Sequence, residues 1–478
     1  MKHEAIYIDG QWQGAETGRT IDVVNPASGR SIGMVPDAGL AETRRAIAAA
    51  ERVFAEFSST TAAHRADLLL RLHGLILDHR EELARLLTEE QGKPLAEARG
   101  EITMSAAYVR WFAEEARRVY GDIIPSPWRD RQLLATREPV GVVAAITPWN
   151  FPSSMLARKI APALAAGCTI VAKPASQTPF SALAWADLCE RAGVPAGVVN
   201  IVTGDARIIG KELCENPAIR KLTFTGSTQV GKILLAQAAG TVKKVSMELG
   251  GNAPFIVFDD ADLDAAVEGG IAAKFRNSGQ TCVCTNRFYV QDGVYDVFMD
   301  KLTAAVKGLK VGNGLDDGVE QGPLIDENSL TKIEELVNDA RDHGGEVVVG
   351  GTRHALGGSF YAPTVIANAN KAMKIAREEA FGPIAPVFRF TNEEDAIAQA
   401  NATEYGLAAY FYTQSLGRAF RVSRALEFGI VGVNEGIVTT EVAPFGGVKE
   451  SGMGREGSHY GIEDYMEVKY ISMGGLGA

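Results

Sequence analysis

The chain has 478 residues, of which 46% are hydrophobic and 22% charged, proportions typical of a globular enzyme with two or three domains. Its net charge of −11 and its pI near 5.3 argue against nucleic acid or an anionic membrane as a main partner. The five cysteines are irregularly spaced, which favours free thiols in a reducing compartment over a disulfide framework or a zinc site.

The chain opens with a predicted hairpin followed by a helical region. No apolar signal core precedes the hairpin, and the longest uncharged apolar run, residues 160–172, is too short to cross a bilayer. We therefore expect a soluble, cytoplasmic protein. Residues 5–12 predict two strands with Asp9-Gly10 at the turn. Apolar residues at three- and four-residue spacing predict helix from about residue 40 to 90, ended by Gly92 and Pro94.

Strands and helices alternate in the next part of the chain, with short turns between them. This alternation predicts a parallel, doubly wound α/β sheet, and a second α/β stretch follows over about residues 253–432. The predicted strands are residues 141–146, 169–172, 198–202, 221–224 and 245–247, and the predicted helices are 153–166, 181–192 and 230–239.

Two polar turns follow the first two of these strands, at the sheet edge where ligands bind in such folds. Asn150 could donate a hydrogen bond to a developing oxyanion, or it could cap the following helix. Lys173 and Ser176 stand three residues apart and could bind a ribose or its phosphate. Alternatively, Lys173 is an ordinary solvated turn lysine.

A third turn, residues 224–233, resembles a phosphate-binding loop. Residues 226–232 match the first seven positions of a Walker A motif, but the eighth is Ile233 where a hydroxyl should bind magnesium. A P-loop NTPase is therefore disfavoured. A glycine turn at a helix N-terminus still suits the pyrophosphate of a dinucleotide.

The strongest chemical signal is a thiol and a carboxylate in separate glycine-marked turns. Cys282 lies in the sequence Gly279-Gln280-Thr281-Cys282, and Glu248 precedes two glycines. A thiol needs a base to become nucleophilic, and a nearby glutamate is such a base. A buried structural cysteine is the alternative. Glu379 and Phe381 precede a Gly-Pro turn, where they could anchor a ribose and pack against a ring, or form a surface helix end.

Together these motifs, with Pro444-Phe445-Gly446-Gly447 near the end, resemble the aldehyde dehydrogenase superfamily over essentially the whole chain. The resemblance implies that Cys282 attacks the aldehyde, that Asn150 and the Cys282 N–H stabilise the oxyanion, and that Glu248 activates the hydrolytic water. It implies an aldehyde dehydrogenase-like α/β fold in a homodimer or homotetramer. The implied parts are a Rossmann-like cofactor domain (1–120 and 141–249), a catalytic domain (250–447) and a small β oligomerisation segment (121–140 and 448–478).

The resemblance also implies a nicotinamide dinucleotide as cofactor. Related NAD-preferring enzymes often carry glutamate at the position of Ser176, where it would repel the additional phosphate of NADP. We therefore expect that NADP is accepted and preferred over NAD. The implied cofactor-binding residues are Trp149, Lys173, Ser176, Gly226, Ser227, Glu379 and Phe381.

Within the superfamily the chain is most similar to succinate-semialdehyde dehydrogenases. That similarity implies that Arg158 and Arg276 bind the distal carboxylate of the substrate, although either could form an internal salt bridge instead. Thr439 stands where these enzymes often have serine, so glutarate semialdehyde competes as the substrate. Cys284 either forms a reversible, inactivating disulfide with Cys282 or is a small apolar residue. A catalytically silent protein on the same fold is the alternative from a different class.

Overall fold

The computed structural model describes residues 2–476, which form helices, strands and connecting turns throughout. The strands, in chain order, are β1 Ile6–Ile8, β2 Gln11–Gln13, β3 Thr20–Val24, β4 Ser31–Pro36, β5 Asp122–Ile124, β6 Gln132–Pro139, β7 Val142–Ile146, β8 Thr169–Lys173, β9 Val199–Ile201, β10 Ile219–Thr225, β11 Lys244–Glu248, β12 Ala253–Val257, β13 Thr285–Gln291, β14 Glu346–Val349, β15 Thr364–Ala367, β16 Ile384–Phe390, β17 Ala408–Tyr412, β18 Ile430–Val433, β19 Gly452–Met453 and β20 Met466–Met473.

The helices cover both faces of the two large sheets. In chain order they are α1 Leu40–Ser58, α2 Ala62–Asp78, α3 Arg80–Gln91, α4 Leu95–Glu115, α5 Ser154–Ala166, α6 Pro179–Arg191, α7 Ala206–Glu215, α8 Thr228–Ala238, α9 Leu263–Phe275, α10 Tyr295–Gly308, α11 Glu327–Asp342, α12 Glu393–Asn401, α13 Leu416–Ala425 and α14 Tyr460–Glu463. No helix within residues 2–476 is both long enough and apolar enough to cross a bilayer.

The first large sheet has the strand order β19-β11-β10-β7-β8-β9-β1-β2, and its five central strands are parallel. The predicted doubly wound sheet is therefore confirmed. The chain runs outward from β7 through β8 to β9, then returns to β10 on the other side of β7. Strands β7 and β10 are thus the switch point, where the carboxyl ends of a parallel sheet leave a crevice for ligands.

The N-terminal predictions hold in part. The hairpin β1–β2 forms as expected, with Asp9 and Gly10 in the left-handed conformation that a two-residue hairpin turn requires. The predicted helical region is three helices, because Thr61 begins a new helix by accepting the amide of His64, and His79 separates the next two. Helix α4, which was not predicted, begins three residues after Gly92 and packs against α2 and α5.

The second large sheet, β14-β15-β16-β13-β12-β17-β18, is parallel except for β14 and lies within residues 253–433. Three further strands, β5, β6 and β20, form a small antiparallel sheet from residues 122–139 and 466–473. Strand β19 pairs with β11 and so extends the first large sheet, although the expected domain division assigns its residues to the oligomerisation segment. That division and the role of the small sheet remain predictions.

One glycine allows the loop before β13 to approach the turn before β16. Gly279 has a φ of 74°, and a Cβ on it would lie 2.2 Å from the carbonyl oxygen of Gly382. Asn277 and Ser278, immediately before it, are also left-handed, at φ of 50° and 56°. Three consecutive residues in this conformation are costly, so neighbouring contacts must hold the loop.

We expect Gly279→Ala to destabilise the fold more than Gly357→Ala. Both glycines have a φ of 74°, but nothing lies within 4 Å of a Cβ on Gly357. Each substitution should cost about 1–2 kcal/mol for the left-handed backbone, and Gly279→Ala about 1–3 kcal/mol more for the overlap with Gly382. Urea denaturation of both variants measures the difference. Equal losses would show that the loop accommodates the methyl group.

Candidate active site

Two turns at the carboxyl edge of the first sheet contact one loop that leads into the second large sheet. The turns follow β7 and β11, and the loop is residues 276–284. The approach is close, because a Cβ on Gly251 would lie 2.3 Å from the carbonyl oxygen of Cys282. The glycine pair after Glu248 therefore allows the β11 turn to contact the loop that carries the thiol.

Cys282 is the partly exposed member of the five cysteines, whereas the other four are buried. Its side chain lines a cavity of about 250 Å³, a size suited to a small molecule. Burial first, and the negative charge of Glu379 second, raise the pKa of Cys282 to about 12, against the favourable charge of Arg158. The resting sulfur is therefore a thiol, and it must transfer its proton to a base as it attacks.

Glu248 is a buried acid whose charge also raises the pKa of Cys282. It is 3% exposed, and neither carboxylate oxygen has a hydrogen-bond partner within residues 2–476. Burial, then repulsion from Glu456, raise the pKa of Glu248 well above its usual range, although Lys159 and Arg158 act in the other direction. A carboxylate with a raised pKa is a stronger base at neutral pH.

A buried charge cluster that the sequence analysis did not predict lies behind Glu248. Lys159 donates to the hydroxyl of Thr225 at 2.7 Å and to the carboxylate of Glu456. Glu456 also lies 3.6 Å from Arg158. The two cations of α5 balance the two buried acids, and this balance sets how readily Glu248 loses its proton.

Asn150 does not cap α5, so that interpretation is wrong; the cap position is Ser153. Its side-chain amide instead donates to the carbonyl of Gln280 at 3.0 Å, two residues before the thiol. An amide nitrogen has two hydrogens, so one remains for a substrate oxygen. The side chain is 3% exposed, and its position beside the catalytic loop suits an oxyanion donor.

The two predicted substrate-binding arginines line the cavity of Cys282, as does Thr439. Arg158 lies between the rings of Tyr108 and Phe445, with its guanidinium carbon 4.9 Å and 4.4 Å from their centroids. Its contact with Glu456 is long, and its Nε and Nη1 have no hydrogen-bond acceptor within the described chain. The internal salt bridge therefore leaves donors available to a ligand.

Arg276 is still less engaged than Arg158. It is partly exposed and lies over the ring of Phe151, 5.6 Å from its centroid. Among residues 2–476 no carboxylate lies within ion-pair distance of its guanidinium, and no group hydrogen-bonds to it. The cavity thus has a cation on one wall that is free to bind an anion. The other lining residues are Glu97, Gly100, Glu101, Met104, Phe151, Ser154, Met155, Thr281, Val283, Ile437 and Phe445.

Lys173 and Ser176 lie at the carboxyl end of β8, at the edge of the first sheet. Lys173, at the end of β8, is 4% exposed, and its ammonium contacts no hydrogen-bond or ion-pair partner in the described part of the chain. Burial lowers the pKa of Lys173 to about 8, although Asp205 favours the charged form. Ser176, three residues on, lines an open groove of about 570 Å³ that it forms with the β3–β4 hairpin and residues 325–327 and 356–359. The unpaired ammonium of Lys173 leaves its donors available to a ligand.

The glycine turn after β10 leads into the N-terminus of α8 at the same edge of the first sheet. Gly226 precedes Ser227, whose hydroxyl accepts the amide of Val230 and caps α8. Lys232, the Walker-like lysine, donates to Glu450 at 2.7 Å and is thereby engaged on the surface. In this Walker-like turn the hydroxyl position is Ile233, and the ammonium of Lys232 is paired with a carboxylate instead of being free for a phosphate.

Trp149 lies in the turn after β7, and Glu379 and Phe381 lie in the turn before β16. The rings of Trp149 and Phe381 pack edge to face with centroids 5.5 Å apart. Glu379 accepts the amide of Gly251 at 3.0 Å, and burial raises the pKa of Glu379 to about 7. The turns after β7 and β11 therefore contact residues 379–381, and the role of these residues in cofactor binding remains a prediction.

Cys284 is not a surface thiol. It is buried, and its sulfur lies 3.3 Å from the carbonyl oxygen of Lys274 as a hydrogen-bond donor. Burial also raises the pKa of Cys284. The disulfide with Cys282 remains a prediction.

The sequence analysis also missed two acids that bind the backbone of loop 276–284 and of the turn after β7. Glu97 accepts the amide of Asn277 at 2.8 Å, and Glu101 accepts the amides of Ser153 and Ser154. The signal that could have found them is their spacing. Two acids four residues apart share one helix face, and here that face is buried with Ala98.

Comparison with known proteins extends these observations. The chain matches the aldehyde dehydrogenase family over residues 12–471. It is 59% identical over 467 residues to the NADP(+) succinate-semialdehyde dehydrogenase of Escherichia coli K12, covering 98% of this chain and 97% of that protein. It is 58% identical to a glutarate-semialdehyde dehydrogenase of Pseudomonas aeruginosa (99% and 98% covered) and 59% identical to a 3-sulfolactaldehyde dehydrogenase of Pseudomonas putida (100% and 98% covered).

A solved structure agrees with these relatives. The crystal structure of succinate-semialdehyde dehydrogenase from Burkholderia pseudomallei superposes with a TM-score of 0.98 at 56% identity, covering 99% of this chain and 98% of that one. This agreement confirms the fold class expected from the sequence. With a family match over residues 12–471 and relatives well above half identity, the chain belongs to the aldehyde dehydrogenase family.

Proposed function

We propose that the protein is an NAD(P)-dependent dehydrogenase that oxidises succinate semialdehyde to succinate. The observation that carries this proposal is one cavity lined by the Cys282 thiol and by Arg158 and Arg276, which both have free donors. The buried acid Glu248 lies close enough to act on this thiol through its charge. A neutral aldehyde would need no such cations. The relatives named for succinate semialdehyde, glutarate semialdehyde and 3-sulfolactaldehyde act on aldehydes that share a distal anionic group.

The proposed reaction begins when the sulfur of Cys282 attacks the aldehyde carbon. The thiol proton passes to a base, and the carbonyl oxygen becomes an oxyanion bound by the free amide hydrogen of Asn150. A nicotinamide dinucleotide held by the predicted cofactor residues would supply the hydride acceptor, which would leave a thioester on Cys282. Glu248 then takes a proton from water as the water attacks the thioester, and returns that proton to the leaving sulfur, so that the carboxylic acid and the thiol are released.

Arg158 and Arg276 orient the substrate by binding its distal carboxylate. Arg158 presents unpartnered N–H groups on the cavity wall, and Arg276 has a free guanidinium. Planar guanidinium groups bind carboxylates in a defined orientation, which fixes the aldehyde end relative to the sulfur. Thr439, on the same wall, has a methyl group that limits the length of chain the cavity accepts.

For the cofactor we propose NADP in preference to NAD. Lys173 and Ser176 lie at the end of β8, where the ribose of the adenine half would bind, and no acid stands at position 176 to repel a phosphate. The name of the Escherichia coli relative includes NADP, which supports the same preference.

We further propose that the protein is a cytoplasmic homodimer or homotetramer. All five cysteines, each within the described residues, are free, which supports a reducing compartment. The small sheet of β5, β6 and β20 exposes apolar side chains, including Ile123, Val468 and Tyr470. An exposed apolar sheet is a surface that a second copy can cover.

The direct test measures cofactor reduction at 340 nm with succinate semialdehyde, glutarate semialdehyde and 3-sulfolactaldehyde. We expect the highest kcat/KM with succinate semialdehyde, and no turnover by Cys282→Ala. Glu248→Gln should still form the acyl-enzyme in a burst but release product slowly, because it retains the attacking thiol and lacks the base for water. Preference for another aldehyde would reassign the substrate, and turnover by Cys282→Ala would refute the mechanism.

Arg276→Ala should weaken catalysis selectively for the carboxylated substrate. Loss of one member of a buried, charge-assisted pair costs about 2–5 kcal/mol in transition-state binding. An uncharged aliphatic aldehyde should lose far less, because it has no anion to pair. The measurement is kcat/KM for both aldehydes, and equal losses would refute carboxylate binding by Arg276.

Ser176→Glu should reverse the cofactor preference. A carboxylate at this position would repel the additional phosphate of NADP and could accept the ribose hydroxyls of NAD. We expect kcat/KM for NADP to fall and that for NAD to hold or rise. A wild-type enzyme that strongly favours NAD would overturn the assignment.

A further inference from the structure

Lys93 is a buried cation in the short connection between α3 and α4. It is 1% exposed, and its ammonium donates to the carbonyl oxygen of Asn150 at 2.7 Å and to Glu101 at 2.7 Å. The same ammonium lies 3.7 Å from the centroid of the Phe151 ring. The ammonium of Lys93 thus contacts the backbone of Asn150, the proposed oxyanion donor, and the ring of the next residue, Phe151.

Glu101 completes the clamp from the other side. One carboxylate oxygen binds Lys93, and the other accepts the amides of Ser153 at 2.9 Å and Ser154 at 3.2 Å. Lys93 and Glu101 therefore hold both ends of the turn from Asn150 to Ser154. The turn has no cap of its own, because Ser153 makes no capping hydrogen bond.

A third group links this turn to the nucleophile loop. Asn277 donates to the carbonyl of Asn150 at 2.9 Å and to the carbonyl of Gln280 at 3.2 Å. The side chain of Asn150 donates to the same Gln280 carbonyl. Lys93 and Asn277 both bind the backbone carbonyl of Asn150. The side chain of Asn150 is held against the loop of residues 276–284 by its hydrogen bond to Gln280.

We propose that Lys93 is a positioning residue that fixes the side-chain amide of Asn150 toward the substrate oxygen. This inference rests on the proposed function, in which Asn150 stabilises the oxyanion. Burying an ion pair contributes little net stability, and apolar residues of similar volume often serve as well. An apolar side chain could fill the space of Lys93, but it could not hold the Asn150 carbonyl.

The first test is Lys93→Met, which keeps the length and removes the donor. A displacement of about 1 Å in a reacting group can cost about 10²-fold in rate. We expect kcat to fall by about 10- to 100-fold with KM little changed, because substrate binding by the arginines is not altered. A rise in KM at unchanged kcat would overturn the proposal.

A double variant without either charge separates the effect of Lys93 on the position of Asn150 from its effect on stability. Lys93→Met alone leaves the Glu101 carboxylate buried without its partner, which destabilises the fold. Lys93→Met with Glu101→Gln removes both charges and keeps an acceptor for the Ser153 amide. We expect this double variant to regain the lost thermal stability but not the lost kcat. Recovery of both together would assign Lys93 a purely structural role.

The decisive test is coupling to Asn150. In an Asn150→Ala background there is no side-chain amide to position, so Lys93→Met should cause no further loss of kcat. Lys221→Met is the matched control, because Lys221 is equally buried but donates to Ser246 and lies over Tyr465. Its effect should be the same in both backgrounds.

The measurement is single-turnover cofactor reduction in wild type, each single variant and each double variant. Equal losses from Lys93→Met with and without Asn150 would overturn the positioning role while leaving the proposed function intact. A wild-type enzyme that oxidises no aldehyde would instead refute the proposed function itself. The two failures are therefore distinguishable in one series.

Discussion

The structure depends on burying ionisable groups where the loops of two sheets meet. Removal from water favours the neutral form of each acid and thiol, so Cys282 and Glu248 both rest with raised pKa values. The cations of α5 oppose this effect without contacting Glu248 directly. Several charges therefore set the state of the site together, and the desolvation that keeps Cys282 a neutral thiol also makes the Glu248 carboxylate a stronger base.

Helices α3 and α4 supply the groups that hold this arrangement in place. Glu101 binds the amides at the start of α5, and Glu90 binds the amides of Phe180 and Ser181 at the start of α6. Both acids use the positive end of a neighbouring helix instead of a local cap. The turns that follow β7 and β8 are thereby held by helices α4 and α3, which lie outside the first sheet.

Much of the fold and the reacting groups could be predicted from the sequence, because local periodicity marks the strands and each reacting residue lies in a distinctive turn. The alternation from β7 to β11 and the roles suggested for Cys282 and Asn150 rest on such local signals. Lys93 and Glu456 could not be found this way. Their partners lie far along the chain, and a charged side chain looks exposed until tertiary contacts show it to be buried.

The C-terminal stretch has a consequence for how the enzyme can vary. A single run of backbone forms a cavity wall at Phe445, pairs beside Glu248 through Gly452 and carries Glu456 before it enters β20 in the small sheet. An insertion or deletion between Phe445 and Met466 would therefore alter the backbone path to the cavity wall, to the strand beside Glu248 and to the small sheet at the same time.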